Sequence, residues 1–487
     1  MACRRFVAKL EMRYEDRSQN IGGVGTTPNQ AMDGAIAQRQ ESEAAEAGQG
    51  ARRRGACPTL AAPMPTGDGL LARLRPIDPA LSIALFRSVL AASGAHGSGL
   101  VEITARGSLQ VRGLTQESAG PFARAVETQG FPLAEGPAVE VSPLCGLDDL
   151  ALSSGRDLAA QLRGLLDDEE ARAPGFSARL APKLSIVIDE GGRVDLSGLI
   201  ADLRLRAVAR DRWVLFLGPH AVGPFGSGDL LAAVRTCLQA LAAGGPSCRG
   251  RDLDLKALGF TPWPDADPPP ARRKGQAMIG PVDLGPHGAA LGLGFAFGQA
   301  RAEALDLLLE AAEALSARDL RLAPGHGLIV TGLDLHAVEQ LRIRAEALGF
   351  IVRADHPALS IAACAGQPAC ASATIETKML AERAAQTLAP LFDRTLSLHV
   401  SGCSKGCALP KKATLTLVGG SVQGRLGLIV NGRASDAFSF TLDADDLDKA
   451  LTRLSGLVAG ASAAGESAGA CLMRLTPETI AVALQQG

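Results

Sequence analysis

Apolar residues along the chain follow two periodicities that together sketch a repeating fold. Leu305, Leu308, Ala312 and Leu315 recur on one helix face, which predicts an amphipathic helix over 300–315. Leu380, Ala384, Leu388 and Leu391 share a face at i, i+4, i+8 and i+11 and predict a second helix. Strict alternation follows over 395–400, with Leu396, Leu398 and Val400 on one side of a strand and Thr395, Ser397 and His399 on the other. Upstream, Gly67-Asp68-Gly69-Leu70-Leu71 opens a strand, a helical stretch covers 79–92, and EITARGSLQVRGL fills 102–114. In the second half Gly292-Leu293-Gly294-Phe295-Ala296 opens a strand, the helix over 300–315 follows, and RLAPGHGLIVTGL fills 321–333. Leu109, Val111, Gly113 and Leu114 thus match Leu328, Val330, Gly332 and Leu333. Each unit reads strand, helix, strand, and two such units can pair into one α+β domain with pseudo-twofold symmetry. Chance likeness between two Ala-, Leu- and Gly-rich segments is the competing explanation. The repeat also accounts for Gly292 and Gly294 as strand-opening glycines. Their spacing with Gly298, G-x-G-x-x-x-G, departs from a dinucleotide loop, so no nucleotide site is expected there.

At 487 residues the chain can hold about two to four domains, because single cores stop growing at roughly 250–300 residues. Residues 1–52 lack sustained apolar periodicity and are expected to form a disordered extension. The Pro-rich stretch 262–275 is expected to be a linker. Between these lie a first half-repeat (53–125) and a first α/β domain (126–261), then a second half-repeat (276–350) and a last α/β domain (351–487). Lys+Arg 49 against Asp+Glu 51 gives a net charge of −2, which offers no global positive field for nucleic acid or anionic lipid. No apolar run reaches the roughly 18 residues of a spanning helix, and no secretory signal core opens the chain, so a cytoplasmic protein without a membrane partner is expected.

The candidate chemistry lies in the cysteines. Four of the ten fall within one 44-residue window, as Cys364-x5-Cys370 and Cys403-x3-Cys407. Gly402 and Gly406 precede the second pair, where glycine permits positive φ and close approach to a bulky inorganic core. Four thiolates can bind structural zinc or a [4Fe–4S] cube, or remain unligated. Zinc knuckles close tight C-x2-4-C turns, for which C-x5-C is wide, whereas a cube is reached from looser loops. Cys3, Cys57, Cys145, Cys237, Cys248 and Cys471 are scattered and receive no role.

C-x5-C followed about 30 residues later by G-C-x3-C resembles the cluster motif of the sulfite and nitrite reductase superfamily. GACPTLAAPMPTGDGLL, SGCSKGCALP and GRLGLIVNGRASD are similar to its precorrin-3B synthase branch. The resemblance covers essentially everything from Gly55 onward. It implies an α+β fold like the sulfite reductase hemoprotein, with two ferredoxin-like half-repeats pairing by pseudo-twofold symmetry plus two α/β domains. It implies a [4Fe–4S] cluster on Cys364, Cys370, Cys403 and Cys407, precorrin-3A and O₂ as reactants, NADH as reductant and an electron donor of unknown identity. Substrate carboxylates would meet Arg106, Arg112, Lys183 and Lys405. The chain departs from the reductase pattern at Ser185, where a second lysine is usual, and at Val141, about where an arginine is expected. Those departures weaken the alternative, a siroheme-dependent sulfite or nitrite reductase, because cations there stabilise a small oxyanion. A saturated cube is poorly suited to O₂, so a mononuclear non-haem iron is chemically attractive. His399 and His356 are the histidines nearest the cysteines, but each is read first as a solvent-facing or hydrogen-bonded imidazole.

Overall fold

The computed structural model describes residues 58–263, 278–420, 422 and 424–485. The expectations for 1–52 and for most of 262–275 therefore lie outside the described residues. Each half-repeat folds as strand, helix, strand, strand, helix. The first comprises Gly69–Leu74, Ile83–His96, Leu100–Ile103, Leu109–Leu114 and Gln116–Thr128. The second comprises Ala289–Gly294, Ala302–Ala314, Asp319–Ala323, Gly327–Leu333 and Leu335–Ala347. The stretches 102–114 and 321–333, expected as one strand each, are hairpins. Thr104 bends the first by accepting from the Arg106 and Ser108 amides through its hydroxyl, and left-handed His326 bends the second.

Strand register fixes the twofold correspondence. Leu70 pairs with Leu114 and Ala289 with Leu333, and each pairing slips by one residue just beyond. The matched strand-opening glycines are therefore Gly69 and Gly288, which corrects the match of Gly67 and Gly69 with Gly292 and Gly294. Both are left-handed, and a Cβ on them would lie 2.6 Å and 2.8 Å from the carbonyl oxygens of Leu114 and Leu333. Gly292 and Gly294 instead sit inside and at the end of their strand.

The two halves share one core, in which Phe86, Leu90 and Val111 of the first join Leu305, Leu309 and Val330 of the second. Gln299–Arg301 of the second half pairs antiparallel with Leu100–Ile103 of the first. Arg87 spans the paired helices to Asp306 at 2.7 Å and Glu313 at 2.6 Å.

Duplication extends further than the letters of the sequence indicate. After each half-repeat comes a five-stranded sheet with two parallel pairings followed by two antiparallel ones. The first contains Ala138–Glu140, Ser185–Asp189, Leu203–Ala209, Arg212–Leu217 and His220–Phe225. The second contains Ile361–Ala363, Leu398–Ser401, Ala413–Gly419, Arg425–Gly432 and Phe440–Asp443. Helices Gly155–Arg172 and Ser227–Gly244 serve the first sheet, Thr377–Thr387 and Leu447–Ala461 the second. The expected face of Leu380, Ala384, Leu388 and Leu391 is buried against the second sheet, though Pro390 turns the last residues into a 3-10 turn. Among the described residues no helix is long and apolar enough to cross a membrane.

One asymmetry between the halves locates a site. The outward sheet face of the second half is apolar, with Ala290 and Ile329 packed beside Val187 and Leu144 of the first α/β domain. The same face of the first half is polar. Ile329 has Gln110 as its counterpart, flanked by Arg73, Glu102 and Arg112.

Candidate functional site

The four cysteines leave the carboxyl ends of two neighbouring parallel strands, Ile361–Ala363 and Leu398–Ser401, where open α/β sheets present their loops to ligands. The two loops are tied together. Cys364 N–H donates to Val400 O at 3.2 Å and Thr374 N–H to Gly402 O at 3.0 Å, while Gly402 N–H donates to Cys364 Sγ at 3.1 Å. Burial pushes the Cys403 thiol upward in pKa, and the nearby thiols of Cys407, Cys364 and Cys370 push it further. All four cysteines thus lie on these two tied loops within electrostatic reach of Cys403, with Cys407 exposed and the others half-buried. No three His, Cys, Asp or Glu groups among the described residues converge closely enough to hold a single ion.

Of the two glycines preceding cysteines, only Gly406 is left-handed (φ +59). Gly402 is needed for a different reason, since a Cβ there would lie 2.5 Å from Ala373 Cβ. Cys145, Cys237 and Cys471 are buried free thiols away from these loops.

A polar row crosses the first half-repeat sheet toward the cysteine loops. Arg73, Gln110, Glu102 and Gln299 are successive cross-strand partners. With the Gln110 amide oriented as its neighbours require, Arg73 donates to its oxygen at 3.0 and 2.6 Å and its nitrogen donates to Glu102 at 3.0 Å. Arg112, two residues along the strand, is only 3% exposed. Its guanidinium donates twice to Asp68 at 2.9 Å, to Glu102 at 3.4 Å and to Ala369 O at 3.0 Å. Burial works upward on Asp68, but Arg112 holds its carboxyl below the usual carboxylate range. Arg112 was expected to grip substrate. In the structure its donors reach these carboxylates and the carbonyl beside Cys370, which ties the first half-repeat to the cysteine loop. Gly67 N–H reaches the same carbonyl at 3.1 Å.

Arg106 lies elsewhere, on the first hairpin turn, where it pairs with Glu140 and donates to Ile200 O at 2.8 Å. Ser185 Oγ donates to that carbonyl at 3.2 Å, so Arg106 meets the strand that Lys183 leads into. Lys183 is half-buried, and Arg249 holds its carbonyl at 3.3 Å. Val141 offers no cation, yet Arg75, Arg106 and Arg163 line a cleft beside it. Lys405 Nζ donates to Ser372 Oγ at 2.8 Å and joins the two cysteine loops. His356 caps a turn by accepting from Ala358 N–H at 3.2 Å. His399 departs from expectation. It is fully buried, neither ring nitrogen has a hydrogen-bond partner, and burial pushes its pKa down to about 4.

Sequence reasoning missed Arg73, Glu102, Gln299 and Lys378. Alternation along Gly69–Leu74 puts Arg73 with Leu71, opposite Leu70, Ala72 and Leu74, and is the signal that could have found it.

No family model matches the chain. Over 444 residues it is 42% identical to a precorrin-3B synthase of Sinorhizobium sp, a match covering 89% of this chain and 95% of that protein. The chain belongs to the precorrin-3B synthase family. Outside that family, 135 residues are 29% identical to the sulfite reductase (NADPH) hemoprotein beta-component of Xanthomonas euvesicatoria pv. vesicatoria (strain 85-10), covering 26% of this chain and 23% of that one. The structure of the Mycobacterium tuberculosis NirA protein superposes with a TM-score of 0.64 over 84% of each chain at 18% identity, and shares the fold. This member of the precorrin-3B synthase family thus has the α+β fold of the sulfite reductase hemoprotein kind, with two ferredoxin-like half-repeats and two α/β domains.

Proposed function

We propose that the chain is a precorrin-3B synthase, an oxidoreductase of cobalamin biosynthesis that hydroxylates precorrin-3A with O₂ and forms a γ-lactone. The observation that carries this is the 42% identity running across 95% of a protein of that name. One oxygen atom would enter the macrocycle. The other would leave as water, with two electrons and one proton supplied through NADH or an intermediate donor and the second proton taken from solvent.

The cysteine set fits a [4Fe–4S] cluster better than zinc. The cysteines lie on two tied loops, and the wide C-x5-C spacing suits a cube reached from loose loops rather than a tight zinc knuckle. Cys364, Cys370, Cys403 and Cys407 would hold the cluster, which supplies single electrons when bound. Gly402 N–H donates to Cys364 Sγ and holds that sulfur between the two loops. The macrocycle's carboxylates need cations, and arginine is their natural bidentate partner. Arg106 and Lys183 are the proposed substrate contacts, with Arg75 and Arg163 in the cleft beside Arg106. Arg73 on the polar row and Lys405 in the cluster loop could reach further carboxylates. A mononuclear iron would need ligands, and His399 is a buried imidazole with neither ring nitrogen hydrogen-bonded. The domain limits given above and a cytoplasmic location belong to this proposal.

The test is turnover. Purified protein is given precorrin-3A, O₂ and a reductant, and the product mass is read. A gain of one oxygen atom, absent when O₂ or reductant is withheld, supports the proposal. Reduction of sulfite or nitrite under anaerobic conditions, with precorrin-3A left unchanged, favours the siroheme reductase instead.

A further inference from the structure

Lys378 has no part in the site as described so far. It occupies the first turn of the helix Thr377–Thr387, directly behind the first cysteine loop. Its neighbour Thr377 donates to Cys364 O at 2.7 Å. Lys378 Nζ donates to Ala363 O at 3.4 Å and to Phe297 O, the carbonyl of a residue held left-handed at φ +55. The ammonium therefore links the residue before Cys364 to the second half-repeat. Part of the side chain is exposed, but the charged end is desolvated. Both of its hydrogen bonds go to neutral carbonyls, so its counter-charge must come from further off. Burial pushes the Lys378 ammonium below its ordinary value, Glu102 and Cys364 work to keep it charged, and Arg112 opposes them.

We infer that Lys378 is the buried counter-charge of the cysteine-bound cluster and raises its reduction potential, with the Glu102 carboxylate acting in the opposite sense. The inference rests on the cluster assignment proposed above. Adding an electron to a thiolate-bound cluster makes it more negative, and a cation enclosed beside one ligand favours that reduced form more strongly than it would in water. Glu102, which accepts from Arg112 and whose charge acts on Lys378, opposes reduction by the same physics. Its replacement by glutamine keeps shape, and Arg112 keeps its two bonds to Asp68.

The experiment is a redox titration of purified holoprotein, followed by electron paramagnetic resonance, with iron and acid-labile sulfide assayed on each sample. Lys378→Met should make reduction about tenfold less favourable, a midpoint lower by about 59 mV for one electron, with cluster content unchanged. Lys378→Arg should stay near the wild-type midpoint, and Glu102→Gln should raise it by about threefold in the equilibrium. Opposite signs for the two neutralised charges cannot arise from general loosening. Unshifted midpoints, or shifts of the same sign in Lys378→Met and Glu102→Gln, would overturn the inference. If Lys378→Met assembles no cluster, Glu102→Gln decides alone, and an unchanged or lowered midpoint overturns it. Wild-type protein without acid-labile sulfide would instead overturn the cluster assignment, and this inference with it.

Discussion

Replacing Arg112 with methionine distinguishes a residue that grips substrate from one that fastens the cysteine loop. The substitution keeps much of the side-chain length and deletes the charge. It removes two 2.9 Å bonds to Asp68, the 3.4 Å contact to Glu102 and the 3.0 Å bond to Ala369 O. Breaking a buried pair by deleting one partner costs about 3–5 kcal/mol, because the other charge is left uncompensated. Asp68 is 17% exposed and Glu102 13%, so some of that charge can be rehydrated. Asp68 also keeps the Thr66 hydroxyl at 2.8 Å. The lower end, about 3 kcal/mol, is therefore expected. Asp68→Asn in the same background should recover about half of the loss, since it removes the stranded charge. Urea denaturation followed by circular dichroism measures both, and iron content reports the loop, which still has the Gly67 bond to Ala369 O. A loss below about 1 kcal/mol, combined with tenfold weaker binding of precorrin-3A, would refute the loop-fastening role and restore Arg112 as a substrate contact.

Serine at Cys364, Cys370, Cys403 or Cys407 should in each case lower iron and abolish turnover, because serine is a poor ligand for a soft thiolate site. Cys237→Ala should keep its iron, since that thiol is buried and pushed up to about 12. Arg106→Ala and Lys183→Ala should weaken precorrin-3A binding in a spectral titration while leaving cluster absorption unchanged, as neither touches a cysteine loop in the contacts above. Burial pushes the Glu190 carboxyl up to about 7, while the Gly155 N–H that donates to it at 2.6 Å pulls the other way. Between about 4.5 and about 7 the folded chain holds a proton that the unfolded chain has lost, so stability falls as pH rises through that window and is level above it. Glu190→Gln should therefore be more stable than wild type by up to about 3 kcal/mol at pH 8 and by much less at pH 5, read from urea midpoints. Equal differences at both pH values would contradict the raised carboxyl.

Local signals made part of this architecture legible. The match of Leu109, Val111, Gly113 and Leu114 with Leu328, Val330, Gly332 and Leu333 holds in register, because alternation and a left-handed glycine are both written into short stretches. The cysteine pairs fall on two adjoining loops for the same reason. The glycine match at the strand starts slipped, since Gly292 and Gly294 copy the spacing of Gly67 and Gly69 without their backbone role. The second duplication was hidden because Ser185–Asp189 and Leu398–Ser401 share a place in their sheets but few letters. The polar row was hidden because Arg73, Gln110, Glu102 and Gln299 become neighbours only through strand pairing. Arg112 illustrates the limit of charge as a signal, since a cation in a strand can serve a ligand or a loop, and only its partners decide which.

The central claim is a cluster-bearing enzyme that takes its tetrapyrrole as substrate and keeps none as cofactor. The most direct measurement is an anaerobic purification in which iron, acid-labile sulfide and the visible spectrum are recorded on one sample before and after precorrin-3A is added. The account predicts about four irons and four sulfides per chain, broad iron–sulfur absorption without siroheme bands, and reversible spectral change on adding precorrin-3A. Stoichiometric siroheme in the isolated protein, with no response to precorrin-3A, would contradict it.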